Sequence, residues 1–194
     1  MIDVKELQKL HGKHRFSDFT WDATRNFIRL AQMGLFVGFA DVIEHHGKAL
    51  MFVGDSNSGK TTTTNRFLKY NGKTSRRLAE DTATIYVNGD VYAYQTNCDI
   101  YADLNPVFQG GEKYPVSAIF HLSKRRGQVR EGIIDSVLET MFFYGGVESP
   151  TLDQRVIDYS EKAFEKIPII ELPYEETPNA RYHVLKDIVR EFLH

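Results

Sequence analysis

The run Ala49-Leu50-Met51-Phe52-Val53-Gly54-Asp55-Ser56-Asn57-Ser58-Gly59-Lys60-Thr61 decides the fold. Its first five residues suit a buried strand, and Gly59 to Tyr70 reads as a helix with Phe67 and Leu68 facing inward. Between them, Gly54, Asp55, Ser56, Asn57, Ser58, Gly59, Lys60 and Thr61 satisfy every fixed position of G-x-x-x-x-G-K-[ST], in the strand-then-helix setting that the pattern requires. Glycines there let the backbone curl until successive N–H groups point inward at the positive end of a helix dipole, which makes a cradle for phosphate oxygens. Lys60 supplies a full charge for β and γ phosphates, and the Thr61 hydroxyl is a hard ligand suited to Mg2+. Of the threonines that follow, Thr62 alone is assigned a contact to the anion. The competing reading is a turn that happens to contain glycine and lysine.

Outward from this run, strand-like segments cover Phe27–Leu30 and Leu35–Ile43. The gap His45-His46-Gly47-Lys48 is too short for a parallel crossover, so the strand through Leu50-Met51-Phe52 runs antiparallel to the one before it. Asn71-Gly72 reads as a left-handed helix stop, and Leu78-Ala79 begins a strand. Thr82 to Val87, Asn88-Gly89 and Val91 to Tyr94 give a hairpin with a type I′ turn at Asn88-Gly89. Gln95 to Tyr114, with weak periodicity and Gly110-Gly111, reads as a long loop, either a lid over an acceptor or a surface excursion. Val116 to Leu122 is a central buried strand, Ile167 to Leu172 a last strand, and Tyr182 to Phe192 a C-terminal helix. Ile133 to Phe142 and Val156 to Phe164 also follow helical spacing. The sum is an α/β fold, a mixed parallel/antiparallel sheet with flanking helices and a P-loop. Residues 1–26 form an extension packed on a single body of residues 27–194.

Composition sets the bounds. The chain has 194 residues, 42% hydrophobic and 26% charged, with net charge −2, average for a soluble globular protein. At this length folding buries roughly 70% of the unfolded chain's surface, enough for a core without disulfides. Cys98 stands alone, excluding a disulfide framework within the chain and fitting a cytoplasmic setting. No export signal or membrane anchor is read, and interspersed charge of both signs gives no bulk attraction to nucleic acid or membrane.

Phosphoryl transfer needs a carboxylate at a strand end near the loop to hold the metal, and Glu80-Asp81 after Leu78-Ala79 can stand there; a solvated strand end is the alternative. Lys124-Arg125-Arg126 follows the buried strand, and Arg125 either neutralises charge on the transferring phosphoryl group or belongs to a solvated basic turn. Arg76, Arg77 and Arg130 have weaker cases. His45 and His46 are either a nearby acid/base pair or a solvated turn, and His11 with His14 lacks further metal ligands.

The hairpin leading into Phe52–Thr61, the helix, and then Arg77-Leu78-Ala79-Glu80-Asp81-Thr82-Ala83-Thr84-Ile85 resemble the catalytic domain of HPr kinase and, more distantly, phosphoenolpyruvate carboxykinase. The ending Ile167-Pro168-Ile169-Ile170-Glu171-Leu172-Pro173-Tyr174 plus a helix is similar to stand-alone HPr-kinase-like proteins, and the likeness runs from Leu35 to the C-terminus. The resemblance implies that Lys60 binds phosphate, that Thr61 and Asp81 hold the metal, and that Glu80, in place of the family's first Asp, deprotonates the acceptor hydroxyl. The family's histidine before the loop hairpin is absent, since that stretch reads Gly38-Phe39-Ala40, and no regulatory N-terminal domain is read. The resulting expectation is a cytoplasmic kinase using ATP and Mg2+, with Lys60, Glu80, Asp81 and Arg125 in catalysis. The acceptor is a hydroxyl of a peptide, protein or small molecule. A nucleotide-binding regulatory module or slow NTPase is the alternative, and the resemblance leaves a homo-oligomer open.

Overall fold

The computed structural model describes residues 35–38, 40–55, 57–81, 83–99, 103–122, 162–172 and 178–193. In chain order the elements are β1 (Leu35–Gly38), β2 (Asp41–His45), β3 (Lys48–Val53), α1 (Lys60–Asn71), β4 (Ser75–Ala79), β5 (Ala83–Asn88), β6 (Asp90–Asp99), β7 (Asp103–Leu122), β8 (Ile169–Leu172) and α2 (Pro178–Leu193). The strands join in the order β1-β5-β6-β7-β3-β2-β4, with β8 also paired to β7. It is a mixed α/β architecture. The expected extension, residues 1–26, and the helical segments Ile133–Phe142 and Val156 lie outside the described residues.

Strand β7 links two regions of different character. From Asp103 to Pro115 it pairs antiparallel with β6, and from Val116 to Leu122 it runs parallel to β3 and β8. The stretch read as a long loop, Gln95 to Tyr114, is therefore strand on both sides of residues 100–102. Main-chain pairing sustains it across two register shifts, one between Tyr94 and Thr96 and one between Asn97 and Asp99, so side-chain alternation is a poor guide there.

The type I′ turn expected at Asn88-Gly89 is found in the other hairpin. His46 and Gly47 both have positive φ, 49° and 78°, between the paired residues His45 and Lys48, which is a two-residue type I′ turn. In the second hairpin Asn88 pairs with Asp90 and only Gly89 has positive φ, so the turn is centred on one glycine and is not type I′. Gly72 corrects a further expectation: its φ of −62° is right-handed. The helix is instead closed by the Asn71 side chain, whose Nδ2 donates to Phe67 O at 3.0 Å, and by Thr74 N donating to Asn71 O at 2.9 Å.

Alternation along β3 feeds two cores. Ala49, Met51 and Val53 join a cluster with Val42, Leu78, Ile85, Val91, Ile119 and Phe164. Leu50 and Phe52 face the helices and join Phe67, Phe120, Leu172, Tyr182 and Leu185. A strand buried on both faces reads as an unbroken apolar run, as Ala49–Val53 does. Phe52 and Phe120 stack at 5.1 Å and are fully buried. Phe52→Ala is expected to cost about 3–5 kcal/mol in urea unfolding with little change in the slope, whereas Tyr70→Ala, at the 56% exposed ring of α1, should cost far less.

Candidate functional site

The loop between β3 and α1 is set by three residues of positive φ, Gly54 (145°), Asn57 (62°) and Gly59 (93°). Gly54 is required twice over, because a Cβ there would stand 2.6 Å from the carbonyl oxygen of Leu122 at the end of β7. The Ser58 amide donates to Asp55 O at 3.1 Å and closes a turn. Gly59 caps α1 without a side chain, and no acidic residue occupies the first helical turn. The amides at this helix start thus have no intrahelical acceptor and no carboxylate neighbour within the turn, a setting suited to an anion. Four threonines, Thr61 to Thr64, open the helix despite poor propensity. Thr63 donates its hydroxyl to Gly59 O at 2.8 Å.

Lys60 is buried and folds back over the loop, its Nζ donating to Gly54 O at 2.8 Å and Asp55 O at 3.1 Å. Ser58 Oγ is buried with no hydrogen-bond partner among the described residues. It lies where a Cβ on Gly54 would approach it at 2.9 Å.

Beside the loop stands a carboxylate that sequence reasoning missed. Asp41, the first residue of β2, is wholly buried. Its Oδ2 accepts the Thr64 hydroxyl at 2.9 Å, and its Oδ1 accepts the Asp81 backbone N–H at 2.7 Å. Arg77 Nη1 lies 3.8 Å from Asp41 Oδ2 and 3.0 Å from Glu80 Oε2, ion-pair distances without hydrogen-bond geometry at that nitrogen. Arg77 Nη2 donates to Asn65 Oδ1 at 2.6 Å. The one available signal was an acid inside the apolar run Leu35–Ile43, where a buried charge demands partners.

Asp81 has φ 58°, a left-handed backbone that Asp tolerates better than most residues and that the Asp41 bond holds in place. Burial is the main cause holding the Asp81 carboxyl above the ordinary aspartate range; the Lys60 ammonium pulls it down and the Asp41 carboxylate pushes it further up. Lys60, Asp81 and Asp41 therefore form one electrostatic unit at the carboxyl ends of β3 and β4. Thr61, half-buried, and Asp81 offer a hydroxyl and a carboxylate near the loop, the hard oxygen set that Mg2+ accepts with few protein ligands. Among the described residues no cluster of three or more His, Cys, Asp or Glu could hold a metal unaided.

Of the residues expected from the sequence, the structure brings Gly54, Asp55, Asn57, Ser58, Gly59, Lys60, Thr61 and Thr62 together in the loop and first helical turn. Glu80, half-exposed, and Asp81 follow β4. Ser56, Arg125 and Arg130 lie outside the described residues, as do His11 and His14. His45 and His46 close β2 at its far end from Asp41: His45 is buried with Nδ1 2.7 Å from Ser75 Oγ, and His46 is exposed. Neither joins the loop. Arg76 is a surface residue bonded to Glu44, Glu112 and the Tyr114 hydroxyl, tying β4 to β2 and β7. His121, one residue before the end of β7, is buried and pairs with Val53 in register.

No family model matches the sequence, and no curated protein matches it. Among solved structures, the chain is similar to the Hpr(Ser) kinase/phosphatase from Coxiella burnetii, with a TM-score of 0.47 and 12% identity over 80% of this chain and 88% of that one. Among the described residues, no helix is long and apolar enough to cross a membrane.

Because the folded chain holds the Asp81 proton more tightly than the unfolded chain, the stability linked to this group is greatest in acid and falls as pH rises through its raised folded value. Asp81→Asn keeps a side chain that tolerates the left-handed backbone and removes the buried charge. The ligand-free variant is expected to unfold at a higher temperature than the parent at neutral pH, with the difference shrinking in acid. Calorimetry across pH measures this, and a variant less stable at neutral pH would contradict it.

Proposed function

We propose that this chain is a P-loop phosphotransferase that moves the γ-phosphoryl group of ATP to a hydroxyl acceptor. The observation that supports the reading is a buried Lys60 close enough to the Asp81 carboxyl to act on it, at a loop with positive φ at Gly54, Asn57 and Gly59 that leads into a helix start. Phosphate needs amides and a fixed cation, and the departing charge needs a carboxylate-held divalent ion; the loop and its neighbours offer all three kinds of group. Amides of the loop and of the start of α1, other than that of Ser58, which Asp55 O already holds, bind the triphosphate tail. Lys60 leaves the Gly54 and Asp55 carbonyls to meet the β and γ phosphates, exchanging two neutral acceptors for charged ones. Thr61 and Asp81 are the residues that would hold Mg2+, which would supply charge neutralisation on the phosphates.

Glu80 takes the proton of the acceptor hydroxyl, and Arg77 orients its carboxylate by the 3.0 Å pair. The acceptor is assigned to a Ser or Thr side chain of a peptide or small protein, by the resemblance of the loop and acid pair to HPr kinase; a small-molecule hydroxyl is the variant of the same chemistry. Cytoplasmic placement accords with a single cysteine. The same Arg77–Glu80 pair favours a second reading, a nucleotide-switched module, because the carboxylate is committed to an ion pair within the chain and not presented to an acceptor.

Incubation with γ-labelled ATP and Mg2+, supplied with a cell lysate or a panel of metabolites, separates the two. Label on an acceptor supports transfer, whereas label released only as inorganic phosphate, or retained on ATP, supports the module. Glu80→Gln is expected to keep ATP affinity and lower transfer by about a hundredfold or more. Unchanged turnover would remove Glu80 from the role of base. No calorimetric binding of Mg·ATP by the parent chain would overturn the whole reading.

A further inference from the structure

Arg181, in the first turn of α2, is buried, and its neighbour Tyr182 stacks on Tyr70 of α1 at 4.7 Å. A guanidinium in such a place is costly unless it is fully engaged. Its Nη1 donates to the Ser58 carbonyl oxygen at 2.8 Å, a bond buried from solvent and spanning 123 positions of sequence. The same nitrogen lies where a Cβ on residue 59 would stand only 2.9 Å away, so the guanidinium rests on the open side of Gly59, whose φ of 93° itself favours glycine.

The bond sets more than a packing contact. A trans peptide unit is planar, with its C=O and N–H pointing in opposite directions. Drawing the Ser58 oxygen toward α2 therefore turns the Gly59 N–H the other way, away from α2. Glycine at one end of this unit makes its rotation inexpensive, and a rotated unit would present a carbonyl oxygen to an anion in place of a donor. Ser58 Oγ, buried and without a partner among the described residues, belongs to the same residue and is fixed by the same anchor.

We infer that Arg181 is a positioning residue for the phosphate loop, acting through the Ser58 carbonyl to hold the 58–59 peptide in its anion-binding orientation. This rests on the reading of the loop as a phosphate site, and it adds the C-terminal helix to the machinery that makes the loop competent.

The test uses the full chain and three variants. Arg181→Gln removes the cation, Arg181→Lys keeps one cationic donor for the Ser58 oxygen, and Val189→Ala loosens the same helix at a buried residue remote from the loop. Binding of Mg·ATP is measured by calorimetry, stability by thermal unfolding, and loop geometry by the amide resonance of Gly59 before and after ligand. Arg181→Gln is expected to weaken binding by at least about tenfold, to shift the Gly59 amide signal in the ligand-free protein, and to lose the ligand-induced shift of that signal. Arg181→Lys should recover most of the affinity, and Val189→Ala should lower the unfolding temperature while changing affinity by no more than about twofold. Parent-like affinity in Arg181→Gln, or affinity that falls in step with stability in both Arg181→Gln and Val189→Ala, would overturn the inference and leave the phosphate loop standing. Should Arg181→Gln not fold, Arg181→Lys decides: near-parent affinity with an unmoved Gly59 signal supports the inference, and affinity lost by about tenfold with that signal unmoved overturns it. A parent chain that binds no Mg·ATP would instead overturn the loop reading, and this inference with it.

Discussion

A carboxylate withdrawn from water has to be answered by donors, and the arrangement around Asp41 follows from that demand. Its two oxygens take a hydroxyl from α1 and a backbone amide from the β4–β5 connection, while Arg77 of β4 stands within ion-pair range. Three separate segments are thereby indexed to one side chain at the beginning of β2. Leaving any of these donors out would strand charge in a region of low dielectric, so the arrangement is self-enforcing. The position of Asp81, and hence the charge facing Lys60, is a by-product of satisfying Asp41.

The rest of the sheet delivers these segments to one end. β3 and the second half of β7 run parallel, and β2 runs antiparallel between β3 and β4. The last residues of β3, β4 and β7 and the first of β2 consequently meet along a single edge, the usual place for ligand chemistry in open α/β sheets. β7 also continues the antiparallel region built from β1, β5 and β6, so one strand carries the edge and its distal support.

Much of this was legible in the sequence, where local rules govern. The short gap at His45–Lys48 fixed β2 and β3 as antiparallel, the glycine and lysine spacing located the loop, and Val116–Leu122 announced itself as a central strand. The misreadings have physical causes that differ from one element to the next. Gln95–Tyr114 has little side-chain alternation because its pairing is between main chains across shifted registers. Neither Asp41, a lone acid in an apolar run, nor Arg181 reveals its partners, which lie between 23 and 123 positions away. The turn types failed for a subtler reason, since Asn-Gly favours positive backbone angles without dictating the strand register that surrounds it. Thr64, read as a mere helix residue, is a donor only because Asp41 arrives opposite it.

The contact between the C-terminal helix and the Ser58 carbonyl has a temporal corollary. During synthesis the glycine-lysine motif leaves the ribosome long before the arginine that holds its peptide. A nascent chain thus possesses the sequence of the loop before it has the contact that fixes the loop's shape. Contacts of such separation are also the slow ones to form, because a large loop of chain must be closed first.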